Sequence, residues 1–80
     1  MKFQYFDDSD MLYIKLMDGI SAESEEAAPG IVLDFTETGR VMGIEIEDAS
    51  KFIELSQFEV LALPITNFAF NRQNVAVGKI

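Results

Sequence analysis

The chain contains no cysteine and no histidine. Disulfides, thiolate metal sites and the Ser-His or Cys-His nucleophile pairs of hydrolases are therefore excluded. It has no run of about 18 apolar residues, so we predict no membrane span and no membrane partner. Met1-Lys2-Phe3 leads into acidic residues rather than an apolar segment. We therefore expect no signal peptide and a cytoplasmic location.

Cofactor and metal motifs are also missing. The glycines do not have the spacing of a phosphate-binding loop. An EF-hand loop starting at Asp8 would need an oxygen ligand followed by glycine, where Leu12 and Tyr13 stand. We predict no cofactor, no metal-binding residue and no catalytic residue.

Basic residues are few and scattered. The net charge is −8, from 14 acidic against 6 basic residues. Phosphate-backbone binding depends on clustered Lys and Arg, so we predict no nucleic-acid partner. The acidity fits solubility and a basic protein partner equally well. Both interpretations stay open.

The 80 residues predict one domain, and a hydrophobic fraction of 49% argues against disorder. Charge is uneven along the chain. Residues 1–63 hold all 14 acids and 4 bases, a net of −10, whereas residues 64–80 hold only 2 bases, a net of +2. We interpret 1–63 as an acidic core and 64–80 as a C-terminal extension that starts at Pro64.

The central segment is Ile31 to Ser50. Apolar residues alternate with other residues in two runs, 31–35 and 42–46, which is typical of strands with one buried face. Gly39 lies between the runs and suits the positive φ of a tight turn. If both apolar sets are to lie on one face of the sheet, the register of the two strands predicts a four-residue hairpin loop. A loop one residue shorter or longer would shift the register by one residue and turn one apolar set toward water.

Two earlier strands are predicted at Lys2–Phe6 and Met11–Leu16, joined by an acidic turn. Residues 17–30 have no strand pattern, and we predict an irregular acidic segment holding at most one helical turn. Pro29-Gly30 ends it.

A helix is predicted after the last strand. Asp48 suits the N-cap, its carboxylate accepting a backbone amide, and Ala49–Leu55 would be the helix. Ser56 and Glu59 repeat the capping-box spacing, which favours a break near Ser56. One continuous helix to Leu63 is the alternative.

Within the extension, Phe68 and Phe70 precede a turn at 71–74, and Val75 and Val77 alternate with small residues. This pattern predicts one or two short strands, which would extend the sheet or pair with another copy of the chain. The predicted fold is α+β: a four-stranded antiparallel β-meander with one helix packed on one face, plus the extension.

The opposite, polar face is the candidate site. Its interaction residues are Tyr13, Val32, Asp34, Glu45 and Glu47. Gly39, Gly43, Asp48 and Ser50 are assigned structural roles, Gly43 because glycine inside a strand permits a bend or the close approach of the helix.

Asp34 and Glu45 also suggest chemistry. They fall on the same face of neighbouring strands, and two carboxyls can act as acid and base when their surroundings separate their pKa values. A solvated acidic sheet face is the simpler interpretation of the same residues.

Three segments together resemble a known family. These are D-M-L-Y-I-K-L from residue 10, G-I-V-L-D-F from residue 30 and G-R-V-M-G-I-E-I-E-D-A-S from residue 39. Residues 2–52 thus resemble the YuzE-like family of small bacterial proteins, a domain of unknown function. The resemblance implies a β-meander followed by a helix and a cytoplasmic bacterial protein. It supplies no catalytic residues, and some members look like the antitoxin half of small two-protein operons.

Three functional hypotheses follow. The first is a non-enzymatic protein-interaction module, antitoxin-like, with a basic protein partner. The second is a small carboxylate- or metal-dependent enzyme that uses Asp34 and Glu45. The third is a homo-oligomeric structural protein, such as a homodimer.

Overall fold

A computed structural model describes residues 1–72. One antiparallel sheet has the spatial order β1-β2-β5-β4-β3 and is followed by a single helix. The elements are β1 (Lys2–Phe6), β2 (Met11–Lys15), β3 (Glu23–Ala28), β4 (Ile31–Phe35), β5 (Val41–Ile46) and α1 (Ala49–Phe52). The predicted α+β class is confirmed, but the sheet has five strands rather than four.

The additional strand is β3, in the segment predicted to be irregular. Its six residues are all exposed, so it has no buried side that could produce an apolar alternation. It forms because its backbone pairs with β4, with Glu25 opposite Leu33 and Glu23 opposite Phe35. Edge pairing overrides the weak strand propensity of its glutamates.

The central hairpin has the predicted faces. Leu33 pairs with Ile44, and Ile31 pairs with Ile46, which confirms that both apolar sets share one side of the sheet. Near the turn the register shifts by one residue. Phe35 pairs with Val41, one position closer to the turn than an unshifted register would give.

The predicted four-residue loop is therefore wrong. The amide of Thr36 bonds to the carbonyl of Arg40 at 2.9 Å, and five residues separate the paired strand ends. A β-bulge in β5 absorbs the extra residue and restores the apolar register. Gly39 has φ of 85° in the turn, as its predicted role requires.

The core lies on the apolar side. Leu12 on β2, Ile46 on β5 and Ala49 on α1 form the buried cluster. Partly buried side chains packed against it come from four strands: Tyr5, Ile14, Ile31 and Ile44. The first residue of α1 is thus packed against the strands, as predicted.

The helix is much shorter than predicted. It spans Ala49–Phe52, and Ile53 already has extended dihedrals, φ −119° and ψ 139°. Neither the helix to Leu55 nor the continuous helix to Leu63 is present. Ser56 does not cap a second turn, because its hydroxyl donates to the Glu54 carboxylate at 2.8 Å.

Residues 53–72 form no helix or strand and are exposed. The predicted strand at Phe68 and Phe70 is therefore absent, while Val75 and Val77 lie outside the described residues. Across residues 1–72, no helix is long and apolar enough to cross a membrane.

Candidate functional site

Four of the predicted interaction residues, Tyr13, Val32, Asp34 and Glu45, lie on the three central strands, whereas Glu47 follows the end of β5. Tyr13 on β2 and Val32 on β4 both lie opposite Glu45 on β5, so the three form one row across the sheet. Asp34 belongs to the next row, where its partner on β5 is Gly43.

Gly43 makes room for Tyr13. A Cβ added at Gly43 would stand 2.5 Å from the Tyr13 hydroxyl oxygen and 3.0 Å from Cζ, so the ring end lies directly over the glycine. The sequence predicts a bend or the close approach of the helix at Gly43. The group that lies close to Gly43 is instead Tyr13, from the polar face. The phenol is thereby held beside the carboxyls of the neighbouring strand positions.

Asp34 is the buried polar residue of this face. It is 5% exposed, and its Oδ1 accepts a hydrogen bond of 2.6 Å from the Ser24 hydroxyl. Ser24 lies directly opposite Asp34 on β3. Sequence reasoning missed Ser24 because it missed β3, and no local pattern marks this serine.

Glu45 completes a carboxyl pair. Burial raises the pKa of Glu45, and the charge of Asp34, a side-chain hydrogen bond with Asp34 and the charge of Glu47 raise it further. Burial, followed by the charges of Asp34 and Glu45, also raises the pKa of Tyr13. The surroundings of Glu45 therefore disfavour a negative charge on its carboxyl beside Asp34.

No cation compensates this pair within residues 1–72. Lys15 lies on the same face, but its ammonium pairs with Asp18 at 3.6 Å. The part of the chain that the structure describes also has no group of three or more carboxylates placed to hold a metal. The site can therefore share or donate a proton, or accept a positive group from outside.

Asp10 forms a second polar cluster on the other side of the sheet. Its carboxylate accepts the Tyr5 hydroxyl at 2.7 Å, the Ser50 amide at 3.0 Å and the Ser50 hydroxyl at 2.8 Å. The hydrogen bond from Tyr5, followed by those from Ser50, lowers the pKa of Asp10.

This cluster corrects the predicted cap. Asp48 occupies the N-cap position with φ of 53°, but its side chain makes no capping hydrogen bond. The carboxylate that receives a first-turn amide is that of Asp10, which precedes β2. Through its bonds to Asp10, Ser50 ties α1 to the β1–β2 turn.

Comparison with known proteins gives one match. A family model described as "Protein of unknown function (DUF2283)" matches residues 2–50. No curated protein and no solved structure matches the chain. The matched range begins with β1 and ends at Ser50, so it includes both the carboxyl pair and the Asp10 cluster.

Proposed function

The chain belongs to DUF2283, a protein family of unknown function, and for it we propose a non-enzymatic role as a protein-interaction module. Its polar face would receive a basic segment of a partner protein. The contact residues would be Tyr13, Val32, Asp34, Glu45 and Glu47.

One observation carries this proposal: Asp34 and Glu45 lie together, and residues 1–72 place no cation beside them. Partly buried charges are normally paired, since an uncompensated charge away from water is costly. A Lys or Arg side chain placed on this face would form charge-assisted hydrogen bonds with the pair and relieve the repulsion that raises the pKa of Glu45.

The surrounding residues support a protein ligand. Val32 stands beside Glu45 in the central row, and the Tyr13 ring covers Gly43, so apolar surface adjoins the carboxyls. A Lys or Arg stem could pack on that surface while its charged end reaches the carboxyls. The net charge of −8 would also speed the encounter with a basic protein.

The resemblance to the YuzE-like family supports a narrower version. It fits a bacterial, cytoplasmic protein that acts as the antitoxin-like member of a two-protein pair. We also propose that residues 1–63 form the interacting acidic core and that residues 64–80 are an appended extension.

Co-purification at native expression level tests the proposal. The Asp34→Asn/Glu45→Gln double variant should lose a co-purifying basic protein that the wild-type chain retains, and raised salt should weaken its capture. Glu37→Gln is the matched control, because it removes one exposed carboxylate in the turn and should leave capture intact. Recovery of the chain alone at every salt concentration, or equal capture by all three proteins, would contradict the proposal.

The raised pKa of Glu45 beside Asp34 also favours a second candidate, a carboxylate- or metal-dependent enzyme that uses the pair as acid and base. NMR titration of the two carboxyls, with and without Mg²⁺, tests it. An enzyme of this kind should show carboxyl signals that move on Mg²⁺ addition, and unchanged signals would exclude the metal-dependent form.

A further inference from the structure

The open sheet has two edges, and they differ in charge. β3 carries Glu23, Glu25 and Glu26 among six exposed residues. Charged residues on an edge strand oppose pairing with another strand. Two β3 strands side by side would also place glutamates against glutamates, so this edge is protected.

β1 is not protected in that way. Its sequence, KFQYF, has one charged residue, Lys2 at its start, against three glutamates in β3. Phe3 is 47% exposed and Phe6 is 37% exposed at this edge. Its backbone groups on the side away from β2 have no strand partner within residues 1–72, because β1 is the first strand of the sheet order.

Aromatic surface continues beside this edge. Phe58, from the segment after α1, packs edge-on against Phe3 with ring centroids 5.3 Å apart. Phe58 is nevertheless 62% exposed. Within the described chain, this pair of rings is thus only partly covered.

We propose that β1 pairs antiparallel with β1 of a second copy of this chain, centred on Gln4. In this register Phe3 lies opposite Tyr5 of the other copy, and Lys2 lies opposite Phe6. Phe3 and Tyr5 belong to the apolar face, since they pair with Ile14 and Leu12. The proposed register keeps both apolar faces on one side and joins the two sheets into ten strands, whereas a shift by one residue would place Phe3 opposite Gln4.

Charge along β1 selects the antiparallel arrangement. The strand begins with Lys2 and is followed by Asp7 and Asp8. Antiparallel pairing brings the basic start of one copy toward the acidic end of the other, whereas parallel pairing would align lysine with lysine. A head-to-tail contact of β1 with β3 would leave one free β1 edge and one free β3 edge, which can pair again and grow into filaments. The two-fold contact uses both β1 edges and therefore closes.

The mass of the full chain in solution tests the proposal. Sedimentation equilibrium of the wild type should give twice the chain mass of 9.0 kDa at high concentration. Gln4→Lys and Gln4→Glu each place two like charges across the two-fold axis. Each variant should raise the dissociation constant about two- to fivefold, as expected for a cross-strand pair of like charges.

Mixing the two variants supplies the decisive comparison. An equimolar mixture of Gln4→Lys and Gln4→Glu should form heterodimers more tightly than either variant forms homodimers, and circular dichroism should show all chains folded. Lys2→Glu is an independent variant that should also weaken the dimer. Glu25→Lys, on the β3 edge, is the matched control and should not alter the mass.

Several results would overturn the proposal. A monomer at all concentrations would do so and would leave the β1 edge to a different protein. A dimer that is indifferent to Gln4 and Lys2 but lost on deletion of residues 64–80 would place the contact in the extension. Species that grow beyond the dimer with concentration would indicate head-to-tail pairing.

Discussion

Substitution of Gly43 by alanine tests how the polar face is built. The new Cβ would stand 2.5 Å from the hydroxyl oxygen of Tyr13, so the ring must move off the glycine. Overpacking of this kind costs about 1–3 kcal/mol. Replacing glycine within a strand returns about 0.5–1 kcal/mol of conformational entropy. Gly43→Ala should therefore lower the free energy of unfolding by about 0–2.5 kcal/mol.

The cost should depend on Tyr13. In a Tyr13→Ala background the obstructing ring is absent, and Gly43→Ala should become neutral or stabilising by up to about 1 kcal/mol. The double-mutant cycle should thus give a coupling energy of about 1–3 kcal/mol between the two positions.

Urea unfolding of the four proteins measures this coupling directly, provided that the m-value stays constant. In thermal unfolding, each kcal/mol should shift Tm by about 4–8 °C for a chain of this size. If Gly43→Ala changes the free energy of unfolding by the same amount in both backgrounds, the proposed packing of Tyr13 over Gly43 is refuted.

Three further predictions concern the polar clusters. Ser24→Ala should lower the free energy of unfolding by about 1–3 kcal/mol in urea, because the buried Asp34 carboxylate loses its 2.6 Å hydrogen bond; an unchanged midpoint would contradict this. Glu45→Gln should raise Tm at pH 7 but not near pH 4. The raised pKa of Glu45 means that the folded state favours the protonated carboxyl, so the fold loses stability as the pH rises above 4.5, the ordinary pKa of glutamate. An equal effect of the substitution at both pH values would refute this prediction. Asp10→Asn keeps a residue type that tolerates the positive φ of 54° at this position but removes the charge. It should lower Tm at neutral pH, and the difference from the wild type should vanish in acid, because the lowered pKa of Asp10 stabilises the fold only above that pKa. A Tm difference that persists below the pKa of Asp10 would show that its charge is not the cause, and the Ser50 amide signal reports the altered bond.

Local periodicity was sufficient for the central strands. The alternation that includes Leu33 and Ile44 is a property of neighbouring residues, and the structure pairs those two side chains on one face. It also placed Asp34 and Glu45 on the opposite face, as the registers show. Periodicity does not determine the number of loop residues when a β-bulge can shift the register, and the predicted loop length was wrong for that reason.

Contacts between residues far apart in the sequence leave no comparable local pattern from which they could be predicted. β3 exists because it pairs with β4, and its glutamates have no apolar alternation to reveal it. The Asp10 carboxylate reaches a residue 40 positions away, so Asp48, which is adjacent to the helix, was the obvious but wrong choice of side-chain cap. The helix was overestimated because capping residues signal where a helix begins, whereas its length depends on packing, and Ala49 is the only buried residue of α1.

The bond from Asp10 to Ser50 has a consequence for the order of folding. A helix of one turn cannot persist on its own, since short helices in water are marginal even with favourable sequences. Its first-turn amide needs a carboxylate that is in place only when the β1–β2 turn has closed, and its buried alanine needs β2 and β5 beneath it. The helix should therefore form last and fray first. When that single turn opens, the contact of Phe58 with Phe3 still holds the following segment against the sheet.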